Sequence, residues 1–155
     1  MRQHRARRAL DSQTATRFAR VLRTALASIM NTYNAGAVIY AKDPKRVAAF
    51  YEHVANMRVC HTDNEHVELQ SGSFQLVVLQ IPERIAKTIQ IASPPERRED
   101  TAIKLVLFVQ SIAQGRAAAV QFGGILNSPE REWRYQGATV CDGHDPEGNV
   151  FQLRQ

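Results

Sequence analysis

The sequence predicts an α+β fold made of two strand–helix–three-strand modules. The order strand, helix, three strands occurs twice, on either side of a long connection. The chain closes on a turn with its own mechanism: in Asp145-Pro146-Glu147-Gly148-Asn149, Pro146 presets φ and Gly148 takes the positive φ that Asn149 also tolerates. A length of 155 residues with 44% hydrophobic content suffices for one core.

The first module begins at Asn34. Ala35–Ala41 reads as an apolar strand, and Asp43 and Pro44 suit the N-cap and first position of a following helix. Val47, Ala48, Phe50, Tyr51 and Val54 recur at helical spacing, so an amphipathic helix runs to about Ala55 and stops at Asn56. Strands are predicted at Arg58–Thr62, 66–70 and Phe74–Gln80, with Asp63-Asn64 and Ser71-Gly72 as the turns. The connection 81–101 is long for a compact domain. Residues 83–90 can make two helical turns, and Pro94-Pro95 with the charged run 96–100 reads as an extended linker.

The second module repeats the order. Residues 102–109 are a strand of the same apolar character, and 112–122 a helix ended by Gly123-Gly124. Further strands are predicted within 131–135, at 138–142 and at 149–154. The two halves share order rather than residues. The predicted organisation is an Arg-rich extension over residues 1–33 and one domain over 34–155, with modules at about 34–80 and 102–155.

The net charge of +5 divides unevenly. Residues 1–30 hold seven Arg against the single acid Asp11, and the rest of the chain carries 13 basic and 14 acidic side chains. A near-neutral domain offers no stripe for phosphates, so no nucleic-acid partner is expected. The Arg-rich start fits an organelle presequence, a basic arm, or a start upstream of a natural one at Met30. No run approaches the ~18 apolar residues of a membrane span, so no membrane partner is expected and the expected compartment is the cytoplasm. Cys60 and Cys141 are expected to be reduced thiols, too far apart in sequence for a metal motif.

The closing run Asp145-Pro146-Glu147-Gly148-Asn149-Val150-Phe151-Gln152-Leu153-Arg154-Gln155 resembles the final hairpin of the vicinal oxygen chelate superfamily, the glyoxalases, bleomycin-resistance proteins and extradiol dioxygenases. The repeated module order is similar to that superfamily's architecture, and the resemblance covers residues 34–155. It implies that the modules form a cupped mixed sheet. In metal-using members four inward side chains hold a divalent ion, and one of them is a Glu two residues past the Asn-Val pair. Here that position is Gln152. The other positions carry over to Gly36, to a residue within 75–78, and to Lys104. Such a set lacks the donors a divalent ion needs. The resemblance with these departures implies no metal, no cofactor and no ordinary metal-dependent activity.

Alternation gives a cup lining independently of the family. Phe151 and Leu153 take the helix side of the last strand and leave Gln152 opposite. By the same parity Val38 and Tyr40, Glu68, and Lys104 with Phe108 face the cup. Apolar walls with a few convergent polar groups suit a small molecule. Val38, Tyr40, Glu68, Lys104, Phe108 and Gln152 are therefore the candidate ligand-binding residues. Lys104 is either the chief determinant of an acidic or acceptor-bearing ligand, or is satisfied internally by Glu68 or Glu147. His61, His66 and His144 can form a metal cluster only if the fold joins them. The leading expectation is a metal-free small-molecule binder acting as a homodimer. The alternatives are a glyoxalase-related lyase or isomerase, or a dioxygenase-like enzyme, with a non-standard metal or acid–base site, and a dimeric interaction module without ligand chemistry.

Overall fold

The computed structural model describes residues 33–155; the expectations for residues 1–30 lie outside the described residues. Residues 35–155 make one compact unit. Strand β1 (Ala35–Ala41) leads into helix α1 (Pro44–Val54), which starts where predicted because the Asp43 carboxylate accepts the Arg46 backbone N–H at 3.0 Å. Val47, Ala48, Phe50, Tyr51 and Val54 form the buried face of α1. Strands β2 (Arg58–Thr62), β3 (His66–Ser71) and β4 (Phe74–Gln80) complete a sheet of order β1-β4-β3-β2, in which β1 and β4 are parallel. Val67, Leu69, Leu76 and Val78 point at α1 and are buried.

The second module contains β5 (Leu105–Phe108), helix α3 (Ile112–Gln121), β6 (Ile125–Leu126), β7 (Trp133–Tyr135), β8 (Ala138–His144) and β9 (Val150–Arg154). Its order is β5-β9-β8-β6, with β7 also on β8 and β5 parallel to β9. The two modules therefore form two mixed sheets. Several details differ from the sequence reading: the strand expected at 138–142 runs on to His144, and a 3-10 turn forms at Pro129–Arg131. The strand expected over 102–109 is shorter, because its partner β9 starts only after the 145–149 turn and offers no ladder upstream of Leu105. A two-residue strand, β6, pairs with β8 and escaped notice because Ile125 and Leu126 are too few to show alternation. The helix expected over 83–90 is a single turn, α2 (Glu83–Ala86). None of its residues is buried, so no packing offsets the cost of helix nucleation.

Helices α1 and α3 pack together between the sheets. The approach is close at Gly115, where an added Cβ would lie 2.8 Å from Leu153 Cδ1 and 3.0 Å from the Val54 carbonyl oxygen. Phe50, Tyr51 and Phe151 meet edge to face with centroids 5.3–5.8 Å apart.

The closing turn grips the first module. Asp145 is fully buried; its Oδ1 accepts the backbone N–H groups of Glu147 (2.8 Å) and Asn149 (3.0 Å), and its Oδ2 accepts Asn149 Nδ2 (2.8 Å) and the Tyr51 hydroxyl (3.2 Å). Glu147 reaches the β1–α1 junction, where its two carboxylate oxygens accept the N–H groups of Lys42 (2.9 Å) and Asp43 (2.8 Å). Gly148 supplies the positive φ of +83° that the turn needs.

Candidate functional site

A cleft of about 550 Å³ lies between β1 and the segment entering β5. Val38 and Tyr40 form one wall, Ile103, Lys104 and Val106 the other, and Arg98 stands at the rim. Tyr51 and Asn149 also line it, so the clasped turn forms part of its base. The period-two alternation of β1 puts Val38 and Tyr40 on the side away from α1, where they are 54% and 58% exposed.

Of the six candidate residues, Val38, Tyr40 and Lys104 line this cleft, and Glu68, Phe108 and Gln152 do not. Glu68 lies across the first sheet, where it accepts Gln75 Nε2 at 3.3 Å and stands 3.4 Å from His66 Nε2. Phe108 is 70% exposed under the Arg154 guanidinium, which also lies 4.9 Å from the Tyr135 ring centroid. Gln152 is buried; its amide donates to Asp142 Oδ1 at 3.0 Å and accepts Arg154 Nε at 2.8 Å.

The partner of Lys104 differs from both expected carboxylates. Its ammonium donates to Asp142 Oδ2 at 2.6 Å. Glu147 is committed to the backbone of Lys42 and Asp43, and Glu68 belongs to the other sheet. A signal for Asp142 was present. A hairpin centred on Glu147 sets Asp142 opposite Gln152, which is the register observed. Lys104, Asp142, Gln152 and Arg154 thus form a continuous chain of charge and hydrogen bonds along the open face of the second sheet.

The positions that hold a metal in metal-using relatives do not suit one here. Gly36 has no side chain, residues 75–78 include no acid or His and their one polar side chain, Gln75, donates to Glu68, and Lys104 brings a positive charge bonded to Asp142. The Gln152 amide nitrogen is turned to that same carboxylate. A carboxylate already neutralised by an ammonium and an amide is a poor ligand for a further cation.

The histidines divide. His144 is buried with Nδ1 3.0 Å from the Asp145 carbonyl oxygen, apart from the other two. His61 and His66 come together on the β2–β3 hairpin around Asp63, a residue read from the sequence only as part of a turn. Asp63 Oδ1 accepts the backbone N–H groups of Glu65 and His66, both at 2.8 Å, and these bonds hold its pKa down at about 2. Burial pushes the Asp145 carboxyl up from its ordinary value, against the four donors around it. Burial and the Asp145 charge together push the Tyr51 phenol well above its usual range. Burial likewise raises the Cys141 thiol. No helix among the described residues is long and apolar enough to cross a membrane.

Residues 36–154 match the family model of the glyoxalase-like domain. Solved structures with the same fold include a bleomycin resistance determinant encoded on the transposon Tn5, at 20% identity and TM-score 0.52, covering 79% of this chain and 96% of that one. A glyoxalase/bleomycin resistance protein/dioxygenase family enzyme from Burkholderia phytofirmans is similar at 18% identity and TM-score 0.57, covering 77% and 94%. The fosfomycin resistance protein FosX from Listeria monocytogenes is similar at 15% identity and TM-score 0.54, covering 77% and 88%. No curated protein matches the sequence.

Proposed function

This chain belongs to the glyoxalase-like domain family of the vicinal oxygen chelate superfamily, and from that premise we propose that it binds a small molecule in the β1–β5 cleft without an ion at the family's metal positions. The observation that carries this reading is the cleft itself: walls of Val38, Tyr40, Ile103 and Val106, with Lys104 and Arg98 as its cationic groups. Apolar walls with few polar groups favour a compact, largely apolar ligand. Asp142 offsets Lys104, whereas the Arg98 guanidinium has no side-chain carboxylate partner among the described residues. One cation in excess favours a ligand that carries a carboxylate or another strong acceptor.

An acid–base enzyme is the second reading. Burial and the Asp145 charge push the Tyr51 phenol at the base of the cleft well above its usual range, away from proton transfer near neutrality. That argues against Tyr51 as the acid–base group of such an enzyme.

A thermal-shift screen of neutral and carboxylate-bearing compounds tests the proposal. A carboxylate at about 100 times its dissociation constant should stabilise the protein by about 2.7 kcal/mol. Lys104→Met and Arg98→Met should each weaken that response while leaving neutral compounds unaffected. Equal stabilisation of all three proteins by the same compounds would show that neither cation selects the ligand. A screen in which Val38→Asp responds as fully as the wild type would remove the cleft from consideration.

A further inference from the structure

The hairpin at the far edge of the first sheet carries a second constellation, independent of the cleft and its ligand. Strand β2 pairs with β3 in register up to Val59 opposite Leu69, then shifts so that His61, and not Cys60, stands opposite Glu68. Without that β-bulge, alternation would turn His61 toward the helix side with Val67. With it, the His61 imidazole comes to the open face beside His66, their ring centroids 5.1 Å apart. The turn between the strands then places Asp63 against both rings: His61 Nε2 lies 3.4 Å from Asp63 Oδ2, and His66 Nδ1 lies 3.1 Å from Asp63 Oδ1.

We propose that His61, Asp63 and His66 form a binding site for a divalent transition-metal ion of the zinc, nickel or copper class. Donors bound tetrahedrally at about 2.05 Å from an ion are separated by about 3.3 Å, and each imidazole stands at that spacing from one oxygen of the shared carboxylate, His61 Nε2 3.4 Å from Oδ2 and His66 Nδ1 3.1 Å from Oδ1. One ligand atom from each of the three residues lies within 4.8 Å of the other two. Two imidazoles with one carboxylate suit these borderline ions, whereas magnesium and calcium prefer sites built from oxygen alone.

The surroundings orient these donors. Asp63 is pinned by the Glu65 and His66 N–H groups, so binding need not immobilise a free side chain. If Nδ1 of His66 faces the ion, its Nε2 points to Glu68 Oε1 at 3.4 Å, the carboxylate that fixes a ligating imidazole from behind. Glu68 is then a positioning residue and not a ligand. Three protein donors leave a coordination position open. Glu68 stands opposite Val77 and Val77 opposite Val38, so the ion lies on the same sheet face as Val38, about 14 Å away across three strand spacings.

The test is calorimetric titration of untagged full-length protein, freed of metal by dialysis, with zinc chloride and separately with nickel chloride. One ion per chain is expected, and magnesium chloride should give no heat of binding. His61→Ala and His66→Ala should each raise the dissociation constant by roughly tenfold or more, since even loss of an outer partner costs about 10–100-fold. Glu68→Gln should weaken binding less than either, and His53→Ala should leave it unchanged. His61 is more than half exposed, so its variant is expected to fold, which circular dichroism would verify. Absence of binding in the wild type, or binding unchanged in both histidine variants, would overturn the proposal. Loss of binding in Cys60→Ser with His61→Ala unaffected would also overturn it, because the ion would then sit on the thiol.

Discussion

Asp145 was read from the sequence as the first residue of a turn, and the structure gives it a larger role. Its carboxylate takes four donors in a fully buried position and joins the final turn to Tyr51 of α1. Asp145→Ala should strand these donors and cost about 3–5 kcal/mol, as loss of one partner from a buried charged network does. Asp145→Asn keeps an acceptor for the two backbone N–H groups but sets an amide against Asn149 Nδ2, and should cost about 1–2 kcal/mol. The pH dependence has an unusual sign for a carboxyl group. Its native pKa is raised, so the native state binds more protons than the unfolded chain above the ordinary value near 3.8. Its contribution is fully present below that value and is lost as pH rises through the native pKa. Denaturant titrations of wild type and Asp145→Asn should therefore show the wild-type advantage shrinking as pH rises through that window. An advantage that grows would mean that the four donors outweigh burial. The sequence also shows why Asp142 was missed while Lys104 was found. A lysine in an apolar strand is conspicuous by itself, whereas an acid in a polar stretch acquires meaning only from cross-strand register.

At the level of elements, local signals were enough where each strand or helix carried its own period and its own punctuation. β1, α1, β2 and β4 fall at or within a residue of the predicted bounds, because Asp43-Pro44, Asn56, Asp63-Asn64 and Ser71-Gly72 mark their ends. β5 and β6 were harder, since their limits are set by β9 and β8, partners that lie tens of residues away. The cleft residues divide on the same line: strand parity placed Val38 and Tyr40, but which β-strand faces which across the molecule is a long-range property. The α1–α3 contact was invisible as well, because Gly115 inside a helical pattern reads only as a weak helix former. In an isolated helix Gly→Ala stabilises by about 0.8–1 kcal/mol. Here the added methyl meets Leu153 Cδ1 at 2.8 Å and the Val54 carbonyl at 3.0 Å, so Gly115→Ala should destabilise by about 1–3 kcal/mol. Combining it with Leu153→Val, which removes one of the two obstacles, should recover part of that loss in a double-mutant cycle. A stabilised Gly115→Ala protein would show that the helices separate at little cost.

At the scale of the whole domain, the described residues leave the two sheets open on the side away from the helices. Among the described residues β1 pairs only with β4 and β5 only with β9, so each sheet ends at an edge beside the cleft. Val38, Tyr40, Ile103, Phe108, Trp133 and Tyr135 are all exposed there or on the adjoining sheet face, and Phe108 and Tyr135 are joined under Arg154. Scattered apolar residues are ordinary on a monomer, but exposed apolar side chains beside two sheet edges that have no partner among the described residues favour association. We propose a second copy of this chain as the partner, because a two-fold interface would bring the same apolar patch to both sides and let each copy cover the other's exposed sheet face. A stable pair needs roughly 1,600 Å² of buried surface, which extends beyond the Phe108–Tyr135 cluster to include β1. We therefore expect sedimentation equilibrium at micromolar concentration to give twice the 17.4 kDa chain mass, with a melting temperature that rises with protein concentration. Phe108→Glu places a charge at a position already 70% exposed, so the single chain should keep its fold while the pair dissociates. If the wild type sediments as one chain, the open faces serve something other than self-association. If Phe108→Glu stays paired, the interface lies on β1 rather than on the Phe108–Tyr135 cluster.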